Sequence, residues 1–148
     1  LVYGAGDTIA ALLLHEATWF RAVIVTLVGG TLYAIEVPAW FRAIDRWTGS
    51  LSGWRRIAFR TALAIAFFNP VWIFRHLSML ALLGGAPVAQ LSTLGPVALR
   101  SFLVNIPLSA VANLIIQNGI PPRHRFVSSA IFSALMAIYY ALSRVWFA

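Results

Sequence analysis

Polar residues are so sparse along this chain that four stretches, residues 20–40, 57–83, 97–116 and 126–147, run almost wholly apolar. Each is long enough for a helix that crosses the ~30 Å hydrocarbon core of a bilayer, which takes about 20 residues. None shows the period-2 alternation of a membrane β-strand, and none carries the polar face of a helix on a soluble protein. Backbone amides in lipid must find partners within their own segment, so each stretch is read as a transmembrane helix. The expected fold is an all-α integral membrane protein, a single transmembrane domain over residues 1–148 with four spanning helices.

Composition sharpens that reading. Of the 148 residues 61% are hydrophobic and 10% charged, and the mean hydropathy is +0.85. A soluble domain has ~25% charged residues and could not hide so much apolar surface. The net charge of +7 would ordinarily raise nucleic acid as a partner. All eleven basic residues are Arg, however, and they sit at the ends of the apolar stretches and in the connections between them. That is a topology signal and leaves no basic face turned to water, so no nucleic-acid partner is expected. Without cysteine the chain has no disulfide, thiolate metal site or cysteine nucleophile.

Arg42, Arg46, Arg55, Arg56 and Arg60 follow the first stretch, and Arg123 and Arg125 follow the third. Connections 42–60 and 121–125 are therefore expected on the cytoplasmic side. The uncharged connection 84–99 and the segment 1–18, with Asp7 and Glu16, then face the other way. Both ends of the chain fall on that side, which implies a preceding helix or a rearranged helix order; Leu1-Val2-Tyr3 reads as the outer end of a helix. A faint repeat sets residues 20–46 over 99–125, aligning Arg21 with Arg100, Val25 with Val104 and Arg46 with Arg125. Duplication and shared membrane composition explain it equally well; if it is a duplication, the fold is two helix-hairpin repeats.

Ionisable groups inside a span cost ~2.5–3.5 kcal/mol or more, so each is a functional candidate. Glu36 lies in the first helix beside Val37-Pro38 and is a candidate proton-coupling carboxylate, or alternatively reaches the interface or pairs with Arg42. Arg75, next to His76 in the second helix, is a candidate clamp for a substrate carboxylate, since a guanidinium stays charged and binds in a fork; the alternative is snorkelling towards the boundary. Asn69-Pro70 breaks the second helix, because Pro70 has no N–H and its ring displaces the carbonyl of residue 66. A freed carbonyl beside an amide side chain suits a small polar substrate. Asn105, Pro107 and Asn113 repeat the combination in the third helix, and packing glue between helices is the competing explanation. Asn69, Arg75, Asn105 and Asn113 are thus the candidate substrate-binding residues. Gly29-Gly30 and the run Ser128, Ser129, Ala130, Ser133, Ala134 are read as close-packing positions. His15, His76 and His124 lack metal-ligand spacing, and there is no G-x-S-x-G, P-loop or carboxylate pair, so no metal, cofactor or catalytic residue is expected.

One segment is similar to a known family. Ser50-Leu51-Ser52-Gly53-Trp54, followed sixteen residues after the Trp by Pro70-Val71-Trp72 with Phe67 just before, resembles the S-x-S-G-W and F-x-x-P-V-aromatic motifs of the bacterial L-alanine exporter family. Arg21-Ala22-Val23-Ile24-Val25 and Tyr33, Arg42 and Asp45 look like that family's second helix. Leu103-Val104-Asn105-Ile106-Pro107 resembles its L-V-x-I-P run, which lies here in the third helix. The likeness covers about residues 20–118 and gives 126–147 no counterpart, unless the helix order is shifted round by one. It implies a bacterial inner-membrane protein exporting a small amino acid at the expense of the proton gradient, and so an amino acid as ligand.

Two functional expectations follow. The first is a small transporter working as a homo-oligomer, because four helices alone enclose little volume. The second is an accessory subunit of a larger membrane complex, whose six Trp, ten Phe and four Tyr pack against partner helices, pigments or lipid.

Overall fold

The structure is a computed structural model and describes residues 1–147 apart from the side chain of Phe68; Ala148, the last residue of the expected domain, lies outside the described residues. Four helical spans carry the fold: Trp19–Trp47, Gly53–Leu83, Val88–Gly119 and Pro122–Trp146. All are long and apolar enough to cross a membrane, and the described residues contain no strand. The spans overrun the purely apolar stretches because the helices continue into the flanking turns, through the Arg-bearing ones in the first, second and fourth spans and through uncharged residues in the third.

The first span is built of α2 (Trp19–Val28), a π-helical turn (Gly29–Tyr33) and α3 (Ala34–Trp47). Thr18 caps its start, accepting a hydrogen bond from the Arg21 N–H at 3.1 Å. The π-turn lies just ahead of Pro38, whose missing N–H would otherwise leave a gap in a regular ladder. The second span divides into α4 (Gly53–Ala66) and α5 (Phe68–Leu83), with the break at Phe67, three residues before Pro70. The third is α6 (Leu94–Leu114), led in by a 3-10 turn (Val88–Thr93) and ending in a second π-turn (Ile115–Gly119). The fourth is α7 (Pro122–Trp146), with Pro122 in its first turn, where no N–H is needed.

One element departs from the expectation. Segment 1–18, read as an outward-facing stretch, forms a helix, α1 (Val2–Leu13), wedged between α2 and α7. Its fit depends on glycine. A Cβ on Gly4 would sit 2.1 Å from Thr26 Oγ1, and one on Gly6 would sit 2.1 Å from the Ala134 carbonyl oxygen. Backbone contact this close is available only to residues without a side chain. The register of Gly6 on Ala134, Ala10 with Ala141 and Glu16 with Arg144 shows α1 running parallel to α7.

The bundle is apolar outside and polar within. Leu27, Leu99, Leu103, Val111, Ile131 and Leu135 face outwards, whereas Asp7, Arg21, His76, Asn105, Ser109 and Gln117 are buried. Apolar surface gains nothing by leaving hydrocarbon, so this arrangement is held by close packing and internal hydrogen bonds. An aromatic core made by Tyr3, Tyr33 and Trp72 marks its centre, with the tyrosine rings stacked 5.9 Å apart and Tyr33 5.3 Å from Trp72. The two Arg-rich connections meet at one end, where Asp45 of α3 takes both Arg60 of α4 and Arg125 of α7.

Candidate functional site

Three polar groups stand out among the described residues. The first is a lateral recess of about 380 Å³ lined by Glu36, Ala39, Trp40, Phe67, Val71 and Arg75. Arg75 Nη1 donates to Glu36 Oε2 at 2.6 Å, and its guanidinium lies 5.0 Å from the centre of the Trp72 ring. Arg75 therefore does not snorkel, and the partner of Glu36 is Arg75 rather than Arg42. Glu36 is eleven residues from the Trp47 end of its helix, roughly 16 Å at the helical rise. Arg75 is eight residues from the Leu83 end, roughly 12 Å. The pair thus sits at mid-span with both side chains over a third exposed on the flank of the bundle. Isolated, each charge would be costly at that depth; paired, they satisfy each other and leave oxygens and N–H groups open to the recess.

The second group surrounds a small cavity of about 20 Å³ at the break in the second span. Asn69, Trp72, Asn113, Ser129, Ser133 and Tyr140 contribute to its wall. Ser129 and Ser133 hydrogen-bond with the Tyr33 hydroxyl at 2.8 and 2.5 Å, a use beyond the close packing expected of them. Asn113 donates to the Ser109 carbonyl at 2.9 Å, and the buried Asn69 Nδ2 makes no hydrogen bond within the protein. A space of this size takes one or two water-sized occupants, given ~10–15 Å³ for each. Trp40 lines both this cavity and the recess.

Of the four candidate binding residues, Asn69 and Asn113 come together here. Arg75 lies across Trp72 from them. Asn105 stands two turns along α6 from Asn113, giving its N–H to Ser109 Oγ at 2.8 Å while its Oδ1 stays unpaired. Ser101, Asn105, Ser109, Asn113 and Gln117 form one buried stripe at four-residue spacing, and Gln117 has neither amide atom hydrogen-bonded.

The third group was not anticipated. Arg21 forks onto Asp7, Nε to Oδ2 and Nη2 to Oδ1, both at 2.9 Å, and its Nη1 reaches Glu16 Oε2 at 2.9 Å. Glu16 also pairs with Arg144. His76 Nε2 faces Asp7 Oδ1 at 3.5 Å, and His76 Nδ1 is 2.5 Å from the Tyr3 hydroxyl. Asp7 and His76 are fully enclosed. An acid following Gly4-Ala5-Gly6 in an apolar run is the signal that could have flagged it.

These features define a polytopic membrane protein whose polar interior is organised around a broken second span. In comparison with known proteins the chain matches no protein family, no curated relative and no solved structure.

Proposed function

We propose that this protein is a small secondary transporter that exports a small amino acid in exchange for protons. The observation that carries the reading is the mid-span Glu36–Arg75 pair, opening on a recess of about 380 Å³. A zwitterion presents one carboxylate and one ammonium, the complement of that pair. Proton exchange follows from the same contact. With Glu36 ionised, the substrate's ammonium takes the Glu36 carboxylate and its carboxylate forks onto Arg75; a proton arriving on Glu36 removes the ammonium's partner and displaces the substrate, so proton and substrate occupy the site in turn. Asn69 and Asn113 line the next polar station, beyond Trp40, and Asn105 continues it along α6. At about 20 Å³ that inner cavity is closed to an amino acid in this conformation, so passage requires Trp40 to move. The similarity of segments 50–54 and 67–72 to the L-alanine exporters supports a small side chain on the substrate. It also supports a bacterial inner membrane, with connections 42–60 and 121–125 cytoplasmic. A second copy of the chain would cover the recess on the flank.

The test is flux of labelled L-alanine in proteoliposomes under an imposed pH gradient. Arg75→Ala and Asn69→Ala should abolish flux, and Glu36→Gln should leave exchange that no longer answers to the gradient. Flux indifferent to the gradient and unchanged in Arg75→Ala and Asn69→Ala proteins that fold would refute the reading. The exposed pair also favours a second reading, an accessory subunit whose partner helix covers it. A fixed heterologous partner retained through mild detergent extraction would decide for that alternative.

A further inference from the structure

The buried group between α1, α2 and α5 has no part in the exchange at Glu36 and Arg75, yet it holds the fully enclosed pair of Asp7 and His76. Its surroundings assign the ring. Nε2 makes no hydrogen bond but lies 3.5 Å from Asp7 Oδ1, where a bare nitrogen would set its lone pair against the carboxylate, so the hydrogen belongs on Nε2. Nδ1 is then the acceptor, and the Tyr3 hydroxyl donates to it at 2.5 Å. The ring is thus neutral, and its basic nitrogen accepts from a hydroxyl that can turn from donor to acceptor.

We propose that Asp7, His76 and Tyr3 form a buried proton-binding site whose occupancy loosens the Asp7–Arg21 clamp between α1 and α2. The arriving proton bonds to Nδ1, and the Tyr3 hydroxyl turns to accept from it. The imidazolium then presents a charged Nε2–H to Asp7 Oδ1, the oxygen that Arg21 Nη2 already holds at 2.9 Å. Two cations now compete for one oxygen, and the surrounding charges decide what gives way. Arg21 from α2 and Arg144 from α7 are the cations nearby; Asp7 from α1 and Glu16 from the following loop are the anions, and together they cancel. Tyr140 from α7 lies 5.9 Å from the ring, Tyr33 packs behind Tyr3, and Arg75 on the same helix is engaged by Glu36. Arg100 of α6 turns away to the Phe147 carbonyl. One added proton leaves this neutral cluster with a surplus positive charge. Arg21 has Glu16 as a second partner at 2.9 Å, so it is the cation that can yield Asp7. α1 is the element loosened, because Asp7 is its ionic tie to α2.

The test reads the ring directly. His15 and His124 are the only other histidines, and both are exposed, so the variant His15→Asn/His124→Gln leaves His76 alone. The protein, labelled with 15N in its histidine ring, is placed in phosphatidylcholine nanodiscs, and its 15N spectra are followed from pH 8.5 to 3.5. Expected is one hydrogen on Nε2 at the alkaline end and a second, reversible one on Nδ1 on acidification. The amide hydrogen-exchange rate in residues 2–13, divided by the intrinsic rate at the same pH, should rise at least threefold in step. In His76→Gln, which keeps an amide donor and acceptor but takes no proton, that acid-dependent rise should vanish. A resting hydrogen on Nδ1, a ring singly protonated until the fold is lost, or an equal rise in His76→Gln would each overturn the proposal. The first two readouts use the native ring and stand even if His76→Gln does not fold. No transported solute enters the measurement, so the amino-acid reading and this one fail separately.

Discussion

Removing Arg21 should damage this protein much more than removing the acid it holds. In Arg21→Met, Asp7 stays fully enclosed with nothing nearer than His76 Nε2 at 3.5 Å. Breaking a buried pair from one side in this way costs about 3–5 kcal/mol. In Asp7→Asn the guanidinium keeps Glu16 at 2.9 Å and one amide oxygen in place of a carboxylate, so about 1–2 kcal/mol is lost. The double variant has no stranded charge and should cost less than the sum of the singles, by at least about 1.5 kcal/mol of coupling. Equilibrium unfolding in mixed micelles, followed by tryptophan fluorescence, gives all three values. The sign of the pH dependence is a second check. In Arg21→Met the folded chain gains by protonating Asp7 and so binds more protons than the unfolded chain; its defect should therefore shrink as the pH falls. Equal costs for the two singles, or strict additivity, would refute the clamp as the source of the energy.

Two further outcomes test the packing. Gly6→Ala should destabilise by about 1–3 kcal/mol, since the new Cβ would lie 2.1 Å from the backbone oxygen of Ala134, whereas Gly30→Ala meets nothing within 4 Å and should stay within about 1 kcal/mol of the native melting free energy. Asp45→Asn leaves Arg60 and Arg125 facing each other at one end of the bundle, for a loss of about 1–2 kcal/mol that added salt partly restores in the same unfolding assay.

The four spans were legible because length and hydropathy are local properties, and so was the break at Pro70, because a missing N–H acts on its own helix. Asn69 and Asn113 stand out in the sequence as rare amides in apolar helices, and in the structure they share one cavity wall. What could not be read was pairing at a distance. Glu36 and Arg75 were each noticed, but a contact across 39 positions depends on how two spans are rotated against each other. Asp7 was harder still. Val2–Leu13 is too short to span a bilayer, so its acid looked like a solvated end. Only the packing of Gly4 and Gly6 against neighbouring helices carries it inside, to within reach of Arg21 and His76.

The unequal sharing of arginine between the two ends has an electrical consequence. At the Asp45 end, Arg42, Arg46, Arg55, Arg56, Arg60, Arg123 and Arg125 against the one acid leave six net charges; at the other, Arg21, Arg100 and Arg144 against Asp7 and Glu16 leave one; Glu36 and Arg75 cancel. The difference is five. Carrying a unit charge through a membrane potential takes ~2.3 kcal/mol per 100 mV, so inverting the bundle against such a potential would take roughly 11 kcal/mol. In any energised membrane such a molecule is a polarised object, and the voltage itself favours the orientation that puts the Asp45 end on the negative side.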